Sequence, residues 1–140
     1  GDLDFSFAGL KTAVLTQCRK LGADLDSQKA DLAASTQAAI VEVLLKKTLS
    51  ALEQTGANRL VVAGGVGANQ SLRQALTQAC QRRHIRVHYP ELHLCTDNGA
   101  MIAMAAAMRL QAGMADTRTD YGFDVRPKWP LDEAMGNIPL

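Results

Sequence analysis

The chain has 140 residues, enough for one domain with a hydrophobic core. Its hydrophobic fraction of 47% is ordinary but its aromatic fraction is only 4%, so the core must be aliphatic. A formal net charge of +1 with scattered cations argues against a dedicated nucleic-acid-binding module, which would carry a basic stripe. The small basic cluster at 82–86 follows a predicted helix and is typical of a solvated helix end.

The cysteines and the apolar runs indicate in which cellular compartment the protein is expected. Cys18, Cys80 and Cys95 are odd in number and far apart, which favours reduced thiols in core positions and a cytoplasmic protein. No uninterrupted apolar run approaches the ~18 residues that a membrane-spanning helix needs. The chain opens at Gly1 without an initiator Met or a signal peptide, so we expect a piece of a longer protein with no membrane partner.

The N-terminal segment predicts a short strand that turns into a helix. Phe5-Ser-Phe7 alternates like a strand, and the helix should run from about Leu10 to Leu21 and stop at Gly22. A polar connection over 23–28 follows. Three residues in it are candidates for the next helix cap: Asp24, Asp26 and Ser27.

The longest helix should run from about Gln28 to Gln54 and end at Gly56. Apolar residues recur in it with a period of ~3.6, which predicts one buried face. The members of this face are Ala33, Gln37, Ile40, Val41, Leu44, Leu45, Thr48, Leu49 and Leu52.

The middle of the chain predicts a strand–helix–strand unit. Leu60-Val-Val-Ala63 has the run and β-branching of a fully buried strand. Asn69 or Ser71 should cap the next helix. The second strand is half-exposed, because apolar and polar residues alternate over 84–89, and Pro90 ends it. The inner helix face should comprise Leu72, Ala75, Leu76 and Ala79.

A last helix is predicted from Asp97 to about Ala112, closed by Gly113. It is so rich in Ala and Met that we expect other elements to pack closely around it. We predict two parts, an α/β body over 1–113 with a mixed or parallel sheet and an extended tail over 114–140 that packs on it. In the tail, Arg126-Pro-Lys-Trp129 could contact a phosphate group or pack its Trp back on the body.

Paired glycines, Gly64-Gly65, follow the first predicted strand of the middle unit. Ligands of α/β sheets bind beyond the carboxyl ends of the strands, and glycines let a ligand touch bare backbone. The next helix, from Asn69, would offer free N–H groups. This pattern predicts a ledge for a nucleotide ribose or adenine, with Asn69 hydrogen-bonded to it. A tight β–α turn in which Asn69 only caps the helix fits the same residues.

A carboxylate, Asp97, stands in the run Thr96-Asp97-Asn98 at the start of the last predicted helix. Any of the three could cap that helix. Three caps exceed what one helix needs, so Asp97 is a candidate hard-oxygen ligand for a divalent metal. One carboxylate cannot hold the ion alone, and the other ligands must come from elsewhere.

Two further groups of polar residues are weaker candidates for a binding site. His84 and His88 have HxxxH spacing, but their segment alternates like a strand, on which they would lie ~13 Å apart, too far to grip one ion. We interpret them as unrelated to metal binding, and His93 as an exposed loop residue. A polar hinge before the first helix either faces a phosphate or is solvated, and it consists of Ser6, Gly9 and Lys11.

Four motifs in register carry a family resemblance: Asp4-Phe-Ser-Phe-Ala-Gly-Leu-Lys-Thr12, Val62-Ala-Gly-Gly-Val-Gly-Ala-Asn69, Cys95-Thr-Asp-Asn-Gly-Ala-Met-Ile-Ala103 and Val125-Arg-Pro-Lys-Trp-Pro-Leu131. Over nearly its whole length the chain resembles the C-terminal part of the TsaD (YgjD/Gcp) family, the tRNA threonylcarbamoyladenosine synthases, in a bacterial form. The resemblance implies the C-terminal half of an actin-like (Hsp70/sugar kinase/actin) ATPase-type fold, in which two α/β domains clasp a nucleotide-like ligand.

The resemblance also implies a function. The full-length enzyme would transfer a threonylcarbamoyl group from threonylcarbamoyl-AMP to the exocyclic amine of the adenosine 3′ to the tRNA anticodon. Gly64, Gly65 and Asn69 match the family's adenosine-binding motif, where threonylcarbamoyl-AMP, ATP or AMP would bind. Asp97 matches the aspartate that holds an iron or zinc ion together with two histidines of a preceding domain.

The implied partners are tRNA, a TsaB-like paralogue and a TsaE-like ATPase. The fragment alone is expected to be inactive, and its uncovered apolar face would favour self-association. Two other functions stay open: a non-catalytic actin-like interaction module of the same family, and a metal-dependent glycoprotein endopeptidase, the family's older name. The sequence has no HExxH motif to support peptide hydrolysis. Asn69 and Asp97 argue against a pure scaffold.

Overall fold

The structure is a computed structural model that describes residues 3–117, 120 and 122. These residues form two compact units that divide between Thr96 and Asp97. Most of the predicted tail, including its Arg126–Trp129 motif, lies outside them. The elements of the first unit are α1 (Ala8–Leu21), a 3₁₀ helix (Gly22–Asp24), α2 (Leu25–Thr55), β1 (Arg59–Val61), a 3₁₀ turn (Gly65–Ala68), α3 (Gln70–Gln81), β2 (Arg86–His88) and a 3₁₀ helix (Leu92–Leu94). The second unit contains α4 (Gly99–Gln111).

The helix α1 ends as predicted, because Gly22 adopts a left-handed φ of 52° directly after it. The predicted strand at Phe5–Phe7 is wrong, since residues 3–7 have no regular structure. The carbonyl of Phe7 instead accepts the first helical hydrogen bond, from the Lys11 N–H at 2.9 Å. No strand among the described residues pairs with these three, and alternation alone cannot form a ladder, whereas a helix is stabilised by its own backbone bonds.

The helix α2 ends at Gly56 as predicted, with a φ of 64° at that glycine. It begins at Leu25, three residues before the predicted start, so most of the polar connection is helical. None of the three cap candidates caps it through a side chain. Ser27 is already inside the helix, and its hydroxyl donates to the carbonyl of Asp24 at 2.8 Å. Asp24 does occupy the N-cap position, as one of the candidates, but its side chain makes no cap hydrogen bond, because the preceding 3₁₀ helix runs directly into α2.

The predicted buried face of α2 is only partly covered. Leu52 is buried, most other members are half-buried, and Ala33 and Gln37 are exposed. Within the described part of the first unit, α2 packs against α1 and α3. Two helices cover part of one face of this 31-residue helix, so the periodicity identified the inward face but overstated its burial.

The strands β1 and β2 are parallel, pairing Arg59 with Arg86 and Val61 with His88, and α3 connects them. The predicted mixed or parallel α/β arrangement is therefore confirmed as a small two-stranded sheet. The fully buried strand at 60–63 is wrong: β1 is shorter, and Val61 is 72% exposed. Within the described residues β1 pairs only with β2, so its other edge has no neighbour. The alternation in β2 is confirmed.

The core of the first unit lies under α3. It is aliphatic as predicted, and its buried residues are Leu52, Leu72, Leu76, Ala79, Cys80 and Cys95. Two of the three free thiols therefore occupy core positions, while Cys18 is half-buried. Burial raises the pKa of the Cys80 thiol, an effect that the neighbouring Arg83 charge partly opposes.

The helix α4 has the predicted stop at Gly113, with a φ of 67°. The expected close packing around it is wrong for the described residues, because none of its side chains is buried and Ile102 is 73% exposed. Alanine and methionine favour a helix without needing burial, so the composition predicted the element but not its surroundings. No helix that the structure describes is both long and apolar enough to cross a membrane.

Candidate functional site

The paired glycines form the turn between β1 and α3. Gly64 has φ 86° and ψ 172°, a conformation available almost only to glycine. Its carbonyl accepts a hydrogen bond from the Gly67 N–H at 2.9 Å, and the Val66 carbonyl accepts one from the Asn69 N–H at 3.0 Å. Residues 64–69, hereafter the glycine turn, are thus closed by two internal backbone hydrogen bonds and lead into α3.

Two glycines of this turn face different surroundings. Gly65 is exposed, and a Cβ built on it would meet no atom of the residues that the structure describes within 4 Å. Gly67 is buried, and a Cβ there would lie 3.4 Å from Val62 Cγ1. Gly67 therefore serves close packing, whereas Gly65 leaves its backbone open to contact from outside. This open backbone is the feature that the predicted ledge requires.

Asn69 caps α3, as one of the two sequence interpretations predicted. Its Oδ1 accepts a hydrogen bond from the Leu72 N–H at 2.9 Å. Its Nδ2 donates to Gln37 Oε1 at 3.1 Å, and Gln37 Nε2 donates to Ser71 Oγ at 3.2 Å. A carboxamide has two N–H donors and two acceptor lone pairs, so these bonds leave one of each for a ligand. Capping and ligand binding are therefore compatible at Asn69.

Arg73 is the residue of this region that the sequence analysis missed. Its Nε donates to the Gly67 carbonyl at 2.6 Å, and its Nη2 donates to the Pro90 carbonyl at 2.9 Å and to Cys95 Sγ at 3.2 Å. Its guanidinium carbon lies 4.8 Å from the Tyr89 ring centroid. The sequence gives no signal for these contacts beyond an arginine in the first turn of a helix that follows paired glycines.

A cavity of about 540 Å³ adjoins the glycine turn in the first unit. Apolar side chains of α1 and α2 form most of its lining, together with Val66, Asn69 and Leu72. This volume lies within the range of small-molecule pockets, which are mainly apolar with a few polar groups. Gln37 and Asn69 supply such polar groups here.

Asp97 precedes the N-terminus of α4, where Asn98 is the cap. Asn98 Oδ1 accepts a hydrogen bond from the Met101 N–H at 3.1 Å. Capping therefore does not occupy Asp97, whose side chain is exposed. The structure brings Gly64, Gly65 and Asn69 together in one turn of the first unit, while Asp97 belongs to the second unit.

The histidines do not share a strand. His84 has a φ of 57° and lies in the turn after α3, whereas His88 is the last residue of β2. The prediction that both histidines lie on one strand is wrong, because the chain forms a turn after α3 before it enters β2. His93 is exposed as predicted, with its Nδ1 3.4 Å from Glu91 Oε2. Ser6 and Lys11 are also exposed.

The described residues contain no group of three or more His, Cys, Asp or Glu side chains that could hold a metal ion. Asp97 fits a metal as a single hard-oxygen donor, and any complete ligand set would need residues other than those described.

Comparison with known proteins assigns this chain to a family. Residues 1–104 match the family model described as "TsaD: tRNA N6-adenosine threonylcarbamoyltransferase". The chain belongs to the TsaD family. Both the glycine turn and Asp97 lie inside the segment that matches TsaD.

Curated relatives named tRNA N6-adenosine threonylcarbamoyltransferase agree with this assignment. The protein of Variovorax paradoxus (strain S110) is 74% identical over 137 residues, which cover 98% of this chain and 39% of the relative. That of Acidovorax sp. (strain JS42) is 74% identical over 132 residues, 94% of this chain and 38% of the relative. That of Polaromonas naphthalenivorans (strain CJ2) is 72% identical over 143 residues, 100% and 40% respectively. The chain thus spans about two fifths of the length of these TsaD relatives.

Proposed function

We propose that the full-length protein containing this chain transfers a threonylcarbamoyl group from threonylcarbamoyl-AMP to the exocyclic amine of the adenosine 3′ to the tRNA anticodon. Its fold would be the two-domain actin-like type, of which residues 1–113 form an α/β subdomain and 114–140 a tail. TsaD membership supports the reaction class. The observation that carries the role of this segment is the open backbone at Gly65 beside the fixed side chain of Asn69.

The glycine turn binds the adenosine part of the adenylate. Gly65 lets the ligand approach the backbone without a Cβ, and Asn69 keeps one donor and one acceptor for a polar edge. The neighbouring cavity of about 540 Å³ offers an apolar lining for the flat adenine ring. The N-terminus of α3 adds a positive dipole end, which favours a phosphate group.

In the transfer, the adenine amine of the tRNA attacks the carbamoyl carbon and forms a new C–N bond. The bond between this carbon and the phosphate oxygen of AMP breaks, AMP leaves, and the amine loses a proton. This chain contributes by holding the AMP leaving group. Fixing one end of the adenylate restricts the carbonyl to positions within reach of the attacking amine.

Asp97 supplies one oxygen ligand to a divalent iron or zinc ion in this proposal. The support is its exposed carboxylate and the fact that Asn98, not Asp97, caps α4. The remaining ligands would come from a preceding domain, since the described residues hold no complete set. When bound, such an ion provides Lewis acidity at a carbonyl oxygen.

The proposal includes tRNA, a TsaB-like paralogue and a TsaE-like ATPase as partners of the full-length protein, and the cytoplasm as its location. It also includes inactivity of this chain alone. A segment with only the glycine turn would lack the remaining cleft walls and the other metal ligands. Exposed apolar side chains such as Val61 and Ile102 favour self-association of the isolated chain.

The test is Gly65→Ala in the full-length protein. A Cβ at this position would meet no atom of the described residues within 4 Å, so we expect folding to be retained, but it would occupy the surface that the adenylate would contact. We expect weaker binding of AMP by calorimetry and less threonylcarbamoyladenosine in tRNA. Ala57→Ser adds one heavy atom at an exposed position outside the turn and is the matched control. Unchanged AMP binding and tRNA modification in Gly65→Ala would overturn the proposal.

A further inference from the structure

We propose that Arg73 is the positioning residue of the glycine turn, fixing its backbone against the segment after β2 so that the turn keeps the shape that a nucleotide contacts. This inference rests on the proposed function. Arg73 does not itself touch the ligand in this proposal. It acts through the Gly67 carbonyl, to which its Nε donates at 2.6 Å.

One side chain connects three separate segments of the first unit. Beyond Gly67, Nη2 of Arg73 donates to the Pro90 carbonyl at 2.9 Å and to Cys95 Sγ at 3.2 Å. Pro90 lies two residues after the end of β2, and Cys95 is buried in the core. Arg73 therefore ties the turn that follows β1 to the segment that follows the neighbouring strand.

The chemistry of this contact requires arginine. A guanidinium has five N–H donors in a rigid planar fork, which lets one group reach several carbonyl and sulfur acceptors at once. Its plane also stacks on aromatic rings, and here it lies 4.8 Å from the Tyr89 ring centroid. Tyr89 is held in return, because its hydroxyl donates to the Arg73 carbonyl at 2.9 Å. A lysine ammonium at the same position would keep the charge but could not span these acceptors.

The glycine turn needs such an external contact. Glycine loses more conformational freedom on folding than any other residue, and this turn contains Gly64, Gly65 and Gly67 within four positions. Its internal bonds, from Gly67 to Gly64 and from Asn69 to Val66, close the turn but do not connect it to the rest of the sheet. The Gly67 carbonyl is the point where Arg73 makes that connection. Without it, the turn would sample more conformations and bind a nucleotide less tightly.

The experiment compares Arg73→Met and Arg73→Lys with the unsubstituted full-length protein. Hydrogen–deuterium exchange without nucleotide is measured for peptides covering 62–70 and, as an internal reference, 40–52 in α2. We expect exchange over 62–70 to rise about tenfold in Arg73→Met and less in Arg73→Lys, with the α2 peptide unchanged. The KM for threonylcarbamoyl-AMP should rise by a similar factor while kcat stays nearly constant, a split that a general loss of folding would not produce.

Thr77→Val is the matched control, because it removes a hydroxyl that lies 3.0 Å from the Tyr89 hydroxyl and keeps the three acceptors of the Arg73 guanidinium. It should leave exchange over 62–70 unchanged. Equal exchange in Arg73→Met and the unsubstituted protein would overturn the inference, as would an equal rise in both peptides. If Arg73→Met does not fold, Arg73→Lys makes the same comparison. The exchange experiment contains no nucleotide, so it tests the positioning role of Arg73 by itself. Calorimetry tests the proposed function separately: if the unsubstituted protein bound no AMP, that result would overturn the proposed function and leave the exchange result standing.

Discussion

Gln37 holds the side chain of Asn69: Asn69 Nδ2 donates a hydrogen bond to Gln37 Oε1 at 3.1 Å, although 32 residues separate the two in sequence. Asn69 Oδ1 is used at the same time to cap α3. The carboxamide is therefore fixed at both ends, by its own helix and by α2. A side chain with a fixed orientation loses less entropy when it binds a ligand.

Asn69→Asp should separate capping from nucleotide binding. Aspartate caps a helix about as well as asparagine, and the bond from Nδ2 to Gln37 that is lost lies at the surface. The free energy of unfolding should therefore fall by less than the ~1 kcal/mol that loss of the cap costs. The substitution removes the Nδ2 donor and adds a negative charge near the expected phosphate, so AMP should bind at least tenfold more weakly, about the effect of losing a hydrogen bond to a polar ligand. Calorimetry on the full-length protein with thermal unfolding measures both quantities.

Asn69→Ala and Ser71→Ala are the comparison variants. Alanine at 69 also removes the cap and should lower stability by about 1 kcal/mol. Alanine at 71 removes only the bond from Gln37 Nε2 and should leave AMP binding intact. The same AMP affinity in Asn69→Asp as in the unsubstituted protein would limit Asn69 to a capping role.

Gly64→Ala should destabilise the protein. Its φ of 86° with ψ of 172° is a conformation that costs a residue with a Cβ about 1–3 kcal/mol. The free energy of unfolding, measured with a chemical denaturant, should fall by this amount. Gly65→Ala is the control for stability, because Gly65 has no left-handed φ and a Cβ built on it would meet no described atom within 4 Å. Its free energy of unfolding should change by less than about 0.5 kcal/mol. A stability loss of the same size at both positions would show that strain at Gly64 is not the cause.

Asp97→Asn should reduce the metal content of the full-length protein. Loss of a direct ligand should weaken metal binding by more than the roughly 10–100-fold that supporting residues around a ligand cost. Stability should barely change, because Asp97 is exposed and Asn98 provides the cap. Asp116→Asn removes an exposed carboxylate from the same unit and should leave the metal content unchanged. Elemental analysis of the purified proteins decides, and equal metal in both variants would remove Asp97 from the ligand set.

Features governed by neighbouring residues in the sequence were predictable. The glycine stops at Gly22, Gly56 and Gly113 depend on a local left-handed φ, and the cap at Asn69 depends on the backbone three residues ahead. Features governed by distant partners were not. The exposure of Val61 depends on which strands flank β1, and the role of Arg73 depends on acceptors at 67, 90 and 95. No periodicity encodes such contacts.

The three thiols should differ in reactivity in the folded chain. Cys80 is fully buried, and desolvation raises its pKa, so a smaller fraction is thiolate at pH 8 than for an ordinary thiol. Cys18 is only half-buried, so an alkylating reagent should modify it first, and Cys80 and Cys95 only on unfolding. Because the pKa of Cys80 is higher in the folded state, the contribution of this thiol to stability is present below about pH 9 and is lost as the pH rises through the folded pKa.

Mass spectrometry of time-resolved alkylation at pH 8 measures the order in which the three thiols react, with Cys18→Ser as the control that should abolish the fast phase. Modification of Cys80 as fast as Cys18 would contradict the core packing described for α3.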